Sequence, residues 1–141
     1  MCAIIPPADF ILRSIEKGFP YDESIKNILK KALNESSCEI HMDSELILFG
    51  LKDAKELLTA YLENPKYSFP LSINAEFILT ENKKYKELYV IYINERELDD
   101  ETQIAACLYG ADYTKTLMQM YHQKHGLCPT ALAAAKARQW I

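Results

Sequence analysis

LSINAEFILTENKKYKELYVIYIN, residues 71 to 94, is the stretch whose period sets the fold class. Leu71, Ile73, Ala75, Phe77 and Leu79 alternate with Ser72, Asn74, Glu76 and Thr80, as in a strand with one face in a core and one in water. From residue 87 to 94 the alternation disappears: Leu88, Tyr89, Val90, Ile91, Tyr92 and Ile93 are apolar on both sides, the signature of a central or covered strand. The intervening residues 81 to 86 are short enough to close a hairpin, with Lys83, Lys84 and Lys86 at its wet tip.

Upstream, Cys38, Ile40 and Met42 alternate with Glu39, His41 and Asp43, and Leu46 and Leu48 with Ile47 and Phe49. This predicts two more short strands over 38 to 50, joined near Asp43-Ser44. Asp53 and Glu56 have capping-box spacing and open an amphipathic helix (Ala54, Leu57, Leu58, Tyr61, Leu62) that stops at Asn64-Pro65. Nearer the start, Pro6 and Pro7 pre-set a helix over 8 to 17 that Gly18 ends. Asp22 caps a second helix with Ile25, Ile28, Leu29, Ala32 and Leu33 inward and Lys26, Lys30 and Lys31 outward.

Downstream, residues 98 to 126 read as one long helix of about seven turns. Acidic Asp99, Asp100 and Glu101 stand at its start, and Gly126 closes it after His122 and His125. It carries two apolar stripes: Ile104, Cys107, Leu108, Ala111 and Met118, and Ala106, Tyr109, Tyr113, Leu117 and Met120. One stripe covers a sheet; the other must meet further helices or another molecule. Gly110, in mid-helix, permits close approach of a second backbone at an internal crossing or a dimer interface. After Cys128-Pro129, Thr130 caps a last segment, 131 to 141, whose stripe is Ala133, Ala137, Trp140 and Ile141. Trp140 must supply much of its docking energy, against the end of the long helix or a second subunit.

The order ααββαββαα predicts an α+β fold, an antiparallel sheet of about four strands with helices mainly on one face. The 141 residues, 49% hydrophobic, suit a single domain, 1–141, without internal repeats. A net charge of −4 without a concentrated basic face argues against nucleic acid. No apolar run reaches the ~20 residues of a membrane span. The N-terminus lacks the pattern of a cleaved signal. Cys2, Cys38, Cys107 and Cys128 are widely spaced and read as reduced thiols of a cytoplasmic protein, although secretion without a cleaved signal leaves the same trace.

Two histidine-cysteine clusters, Cys38-x-x-His41 and His122-x-x-His125-x-x-Cys128, contain zinc-ligand types. Residues three apart on a strand point to opposite faces, and Cys128 lies beyond the Gly126 break, so no metal is expected. The dispersed glycines at 18, 50, 110 and 126 build no phosphate loop, and no cofactor is expected. Two functional readings remain. The first is a small acidic protein-binding module of adaptor, chaperone or inhibitor type, self-associating as a homodimer. Its contacts would be Tyr109, Tyr113, Leu117, Met120 and Trp140. In outline, a small acidic chain with a central sheet and amphipathic helices looks like the bacterial secretion chaperones and adaptors, or like small inhibitors that cap an enzyme. The alternative is a cysteine-dependent enzyme with Cys128 as nucleophile, His125 or His122 as base and a carboxylate such as Asp112 to orient it.

Overall fold

The computed structural model describes residues 7–141, and every regular element among them is helical. These are α1 (Pro7–Glu16), α2 (Glu23–Asn34), α3 (Met42–Phe49), α4 (Ala54–Leu62), α5 (Ile73–Glu81), α6 (Lys86–Glu95), α7 (Asp100–Tyr109), α8 (Asp112–Lys124) and α9 (Pro129–Ala137), with a 3-10 turn at Lys83–Tyr85. The expected α+β fold is therefore wrong, and among the described residues there is no sheet. The expectations that rest on Pro6, Cys2 and the first residues lie outside the described part.

The error has a definite cause at α5. Leu71, Ala75 and Leu79 are buried, while Ile73 and Phe77 are only half-buried. From Ile73 on, the alternation is the sum of two i,i+4 rows on one helix, which a period of two imitates; Leu71 stands just before its N-cap. Glu76 and Thr80, assigned to a wet strand face, are buried as well. In α6 the buried side chains are Leu88, Tyr89, Tyr92 and Ile93, an i, i+1, i+4, i+5 pattern that leaves Val90 outside. Residues 42 to 49 fold as α3, with His41 as N-cap: its Nδ1 accepts from the Asp43 N–H at 3.2 Å.

Other boundaries hold with different chemistry. Asp22 caps α2 as expected, accepting from Ile25 N–H at 2.9 Å. Asp53 stands at the N-cap of α4 without a capping bond and instead accepts from the Tyr21 hydroxyl at 2.8 Å. Glu56 does not close a capping box; it pairs with Lys26 and Lys30, each at 2.9 Å, and ties α4 to α2. The long helix is two helices, broken at Gly110, which is extended with its N–H on the Ala106 carbonyl. A Cβ there would sit 2.4 Å from the Ala106 oxygen and 2.7 Å from the Thr114 side chain, so the close approach lies within the chain. The four thiols are not all reduced: Cys38 is disulfide-bonded, whereas Cys107 and Cys128 are free.

The chain gathers into two compact units that divide between Leu71 and Ser72. In the first, hairpins α1–α2 and α3–α4 stack so that α1 lies beside α3 and α2 beside α4. In the second, α5–α6 and α7–α8 are the hairpins, and α5 and α9 each pack beside α7.

Contrary to the expectation of no internal repeat, the first helices of these hairpins and α9 share one pattern, roughly every thirty residues. A small or hydroxyl side chain (Ala8, Ser44, Ala75, Thr102, Ala131) is buried, and so is the Leu or Ala four residues on (Leu12, Leu48, Leu79, Ala106, Ala135). Four residues before the small side chain stand buried Ile40, Leu71, Leu98 and Leu127. Directly after it comes a buried polar residue in four cases: Asp9, Glu45, Glu76 and Gln103.

These polar residues have a visible task. Asp9 Oδ1 accepts from the His41 N–H at 3.0 Å, Glu76 Oε1 from the Asp99 N–H at 3.1 Å, and Gln103 Oε1 from the Cys128 N–H at 2.8 Å. His41, Asp99 and Cys128 are the N-caps of α3, α7 and α9, so one hairpin satisfies the backbone where the next begins. Two tyrosines repeat a second bond: Tyr61 Oη accepts from Ile40 N–H and Tyr121 Oη from Leu98 N–H, both at 3.1 Å.

Candidate partner-binding face

Within the repeated pattern one position faces away from the core. Two residues after the buried small side chain, roughly 200° around the helix, stand Phe10, Leu46, Phe77, Ile104 and Ala133. Phe10 is 65% exposed and Leu46 45%, while Phe77 and Ile104 are half-buried. A position that turns outward in each hairpin has no reason of folding to be apolar, yet four of five occupants are large and apolar. In the first unit Met42 adds to this face, 51% exposed and one turn before Leu46. In the second, Leu108 adds to it one turn after Ile104.

The contact residues expected from sequence are dispersed by the break at Gly110. Tyr109 ends α7 and is 82% exposed. Tyr113, Leu117 and Met120 are on α8. Leu117 is wholly buried, and its carbonyl accepts from the Tyr89 hydroxyl at 2.7 Å. Tyr113 is half-buried; burial raises its pKa. Trp140 is buried: its carbonyl accepts from Gln119 Nε2 at 2.8 Å, and the Arg138 guanidinium lies 4.1 Å from the ring centre. It reaches this place through a helix-ending turn in which Gln139 takes a φ of 61° and the Trp140 N–H returns to the Ala135 carbonyl. Met120 and Trp140 line one shallow depression, so the structure brings these two together and leaves Tyr109 outside it.

The histidines and Cys128 are engaged in local structure. His122 Nδ1 accepts from the Leu127 N–H at 3.1 Å, and His125 Nε2 lies 2.6 Å from the Ile93 carbonyl with its ring against Tyr121. Cys128 is the partly exposed N-cap of α9. Among the described residues no hydrogen bond joins its sulfur to either imidazole, and no group of three metal-ligand side chains gathers. His41 serves as a cap, apart from any such group. No helix among the described residues is long and apolar enough to cross a membrane.

Sequence reasoning missed Phe10, Leu46, Phe77 and Ile104 as a set. The signal that would have found them is short: Ala8-Asp9-Phe10-Ile11-Leu12 recurs as Ala75-Glu76-Phe77-Ile78-Leu79. Comparison with protein-family models, with curated proteins and with solved structures finds no match.

Proposed function

We propose that the chain is a protein-binding module that acts through surface burial rather than through chemistry, using the outward face of the first helix of its hairpins. The observation that carries this reading is the apolar residue kept at the outward position of the repeated pattern, Phe10, Leu46, Phe77 and Ile104. Stacked helical hairpins suit such a role because, within each unit, neighbouring hairpins add similar strips of surface. The adaptor and secretion-chaperone outline, which leaned on a central sheet, loses that support. No specific observation favours the thiol enzyme, since His122 and His125 are both committed to backbone groups.

The test is capture from the native host with the wild-type chain and with a Phe10→Ser, Leu46→Ser, Phe77→Ser, Ile104→Ser variant of unchanged circular dichroism. Proteins held by the wild type and released by the variant, as quantified by mass spectrometry, support the reading. An identical set captured by both removes it.

A further inference from the structure

We propose that the α5–α7 face of the second unit docks a basic amphipathic segment of another protein. Its apolar residues would rest on Phe77, Ile104 and Leu108, and its Lys or Arg side chains would lie against Glu81 and Asp100. The inference rests on the protein-binding reading above and names the chemistry of the partner.

Residues four apart on a helix share a face. On α5 the outward row is therefore Ile73, Phe77 and Glu81, and on α7 it is Asp100, Ile104 and Leu108. The two helices pack side by side. Leu108 is 48% exposed, Phe77 and Ile104 are half-buried, and Glu81 and Asp100 are exposed. Both charges carried by these rows are carboxylates, and neither has an ion-pair partner among the described residues. An apolar strip with an unpaired acid on each row is complementary to a segment that alternates apolar and cationic side chains. A second copy docking by the same face would offer only the same two acids and no cation from these rows, so neither carboxylate would gain an opposite charge.

The full chain is titrated, by fluorescence anisotropy, into a labelled peptide with Leu at helical spacing and Lys between, and into the same peptide with Glu for Lys. The Lys peptide is expected to bind about tenfold tighter or more, with affinity that falls as salt rises. Combined Glu81→Gln and Asp100→Asn should weaken it by about fivefold or more, whereas Asp112→Asn, on α8, should not. Leu108→Ser, at an exposed site that the fold does not need, should weaken it by about tenfold; Ile104→Ser repeats that arm inside the strip.

Equal binding of the two peptides, undiminished binding by the neutralised protein, or binding of neither peptide overturns the proposal. A wild-type dimer that Leu108→Ser dissociates in light scattering also overturns it, by giving the face to a second copy. If both peptides bind equally and both are lost in Leu108→Ser, the charge assignment fails while the face remains a protein-binding surface. If Leu108→Ser and Ile104→Ser bind as the wild type does, this face fails as a binding surface altogether.

Discussion

Glu76 is 2% exposed and accepts from three donors: the Tyr92 hydroxyl at 2.6 Å, the Thr102 hydroxyl at 2.6 Å and the Asp99 N–H. Burial nevertheless outweighs those donors and holds its carboxyl above the ordinary value of 4.5. The native state thus binds this proton more tightly than the unfolded chain does. The contribution of Glu76 to stability is complete below that ordinary value and is lost as pH rises through the raised native one. Glu76→Gln keeps an oxygen for Asp99 and Thr102 without a buried charge, and Gln103 already fills the equivalent place in α7. Denaturant titrations at several pH values should show the wild type losing stability relative to this variant as pH rises from 4.5 toward neutrality. Parallel curves would refute the assignment. Cys107 gives a second residue-level outcome, because burial first, and then the neighbouring Cys128, push its thiol up to about 11, with Arg138 opposing. Alkylation at pH 8, followed by mass spectrometry, should modify partly exposed Cys128 well before Cys107. A faster Cys107 would mean that the α7–α9 contact opens readily.

At the scale of the element, the sequence was legible where punctuation and period agreed. Asp22, Gly18 and Asn64-Pro65 mark real helix ends, and the three-four spacing of α2 and α4 is unambiguous. It misled where a helix buries one row and leaves a second apolar row outside, as α5 does with Ala75 and Leu79 against Ile73 and Phe77. The surplus row that disguised the helix is the one assigned here to partner binding, so the fold error and the missed site have one origin. In α6 the β-favouring Tyr and Ile residues were outweighed by tertiary bonds such as Tyr89 to Leu117 and Tyr92 to Glu76. The break between α7 and α8 was concealed because Gly110 was weighed as a weak helix residue rather than as a steric requirement. Gly110→Ala should lower stability by about 1–3 kcal/mol, since the added methyl would meet the Ala106 carbonyl and the Thr114 side chain. A thermal midpoint equal to the wild type would show that the break can close into one helix.

At the scale of the whole molecule, the capping ladder explains why hairpins with few residues each can hold. Asp9, Glu76 and Gln103 each satisfy the start of the next hairpin's first helix or of α9, so a hairpin without its neighbour would leave buried polar groups unpaired. The partner assigned to the α5 and α7 rows predicts no self-association through that face: wild type and Leu108→Ser should give the same mass in light scattering, and a dimer that Leu108→Ser dissociates would contradict it. The central claim is that Ile73–Glu81 and Lys86–Glu95 are helices, the first with one apolar row inside and one outside, and denaturant unfolding of two single variants tests it most directly. On a strand, Leu79 and Phe77 would point the same way and lose comparable stability when truncated. On α5, Leu79→Ala should lose about 2–5 kcal/mol, while Phe77→Ala, at a half-buried outward site, should lose about 1 kcal/mol or less. Similar large losses for both variants would contradict the helical register and the binding face that follows from it.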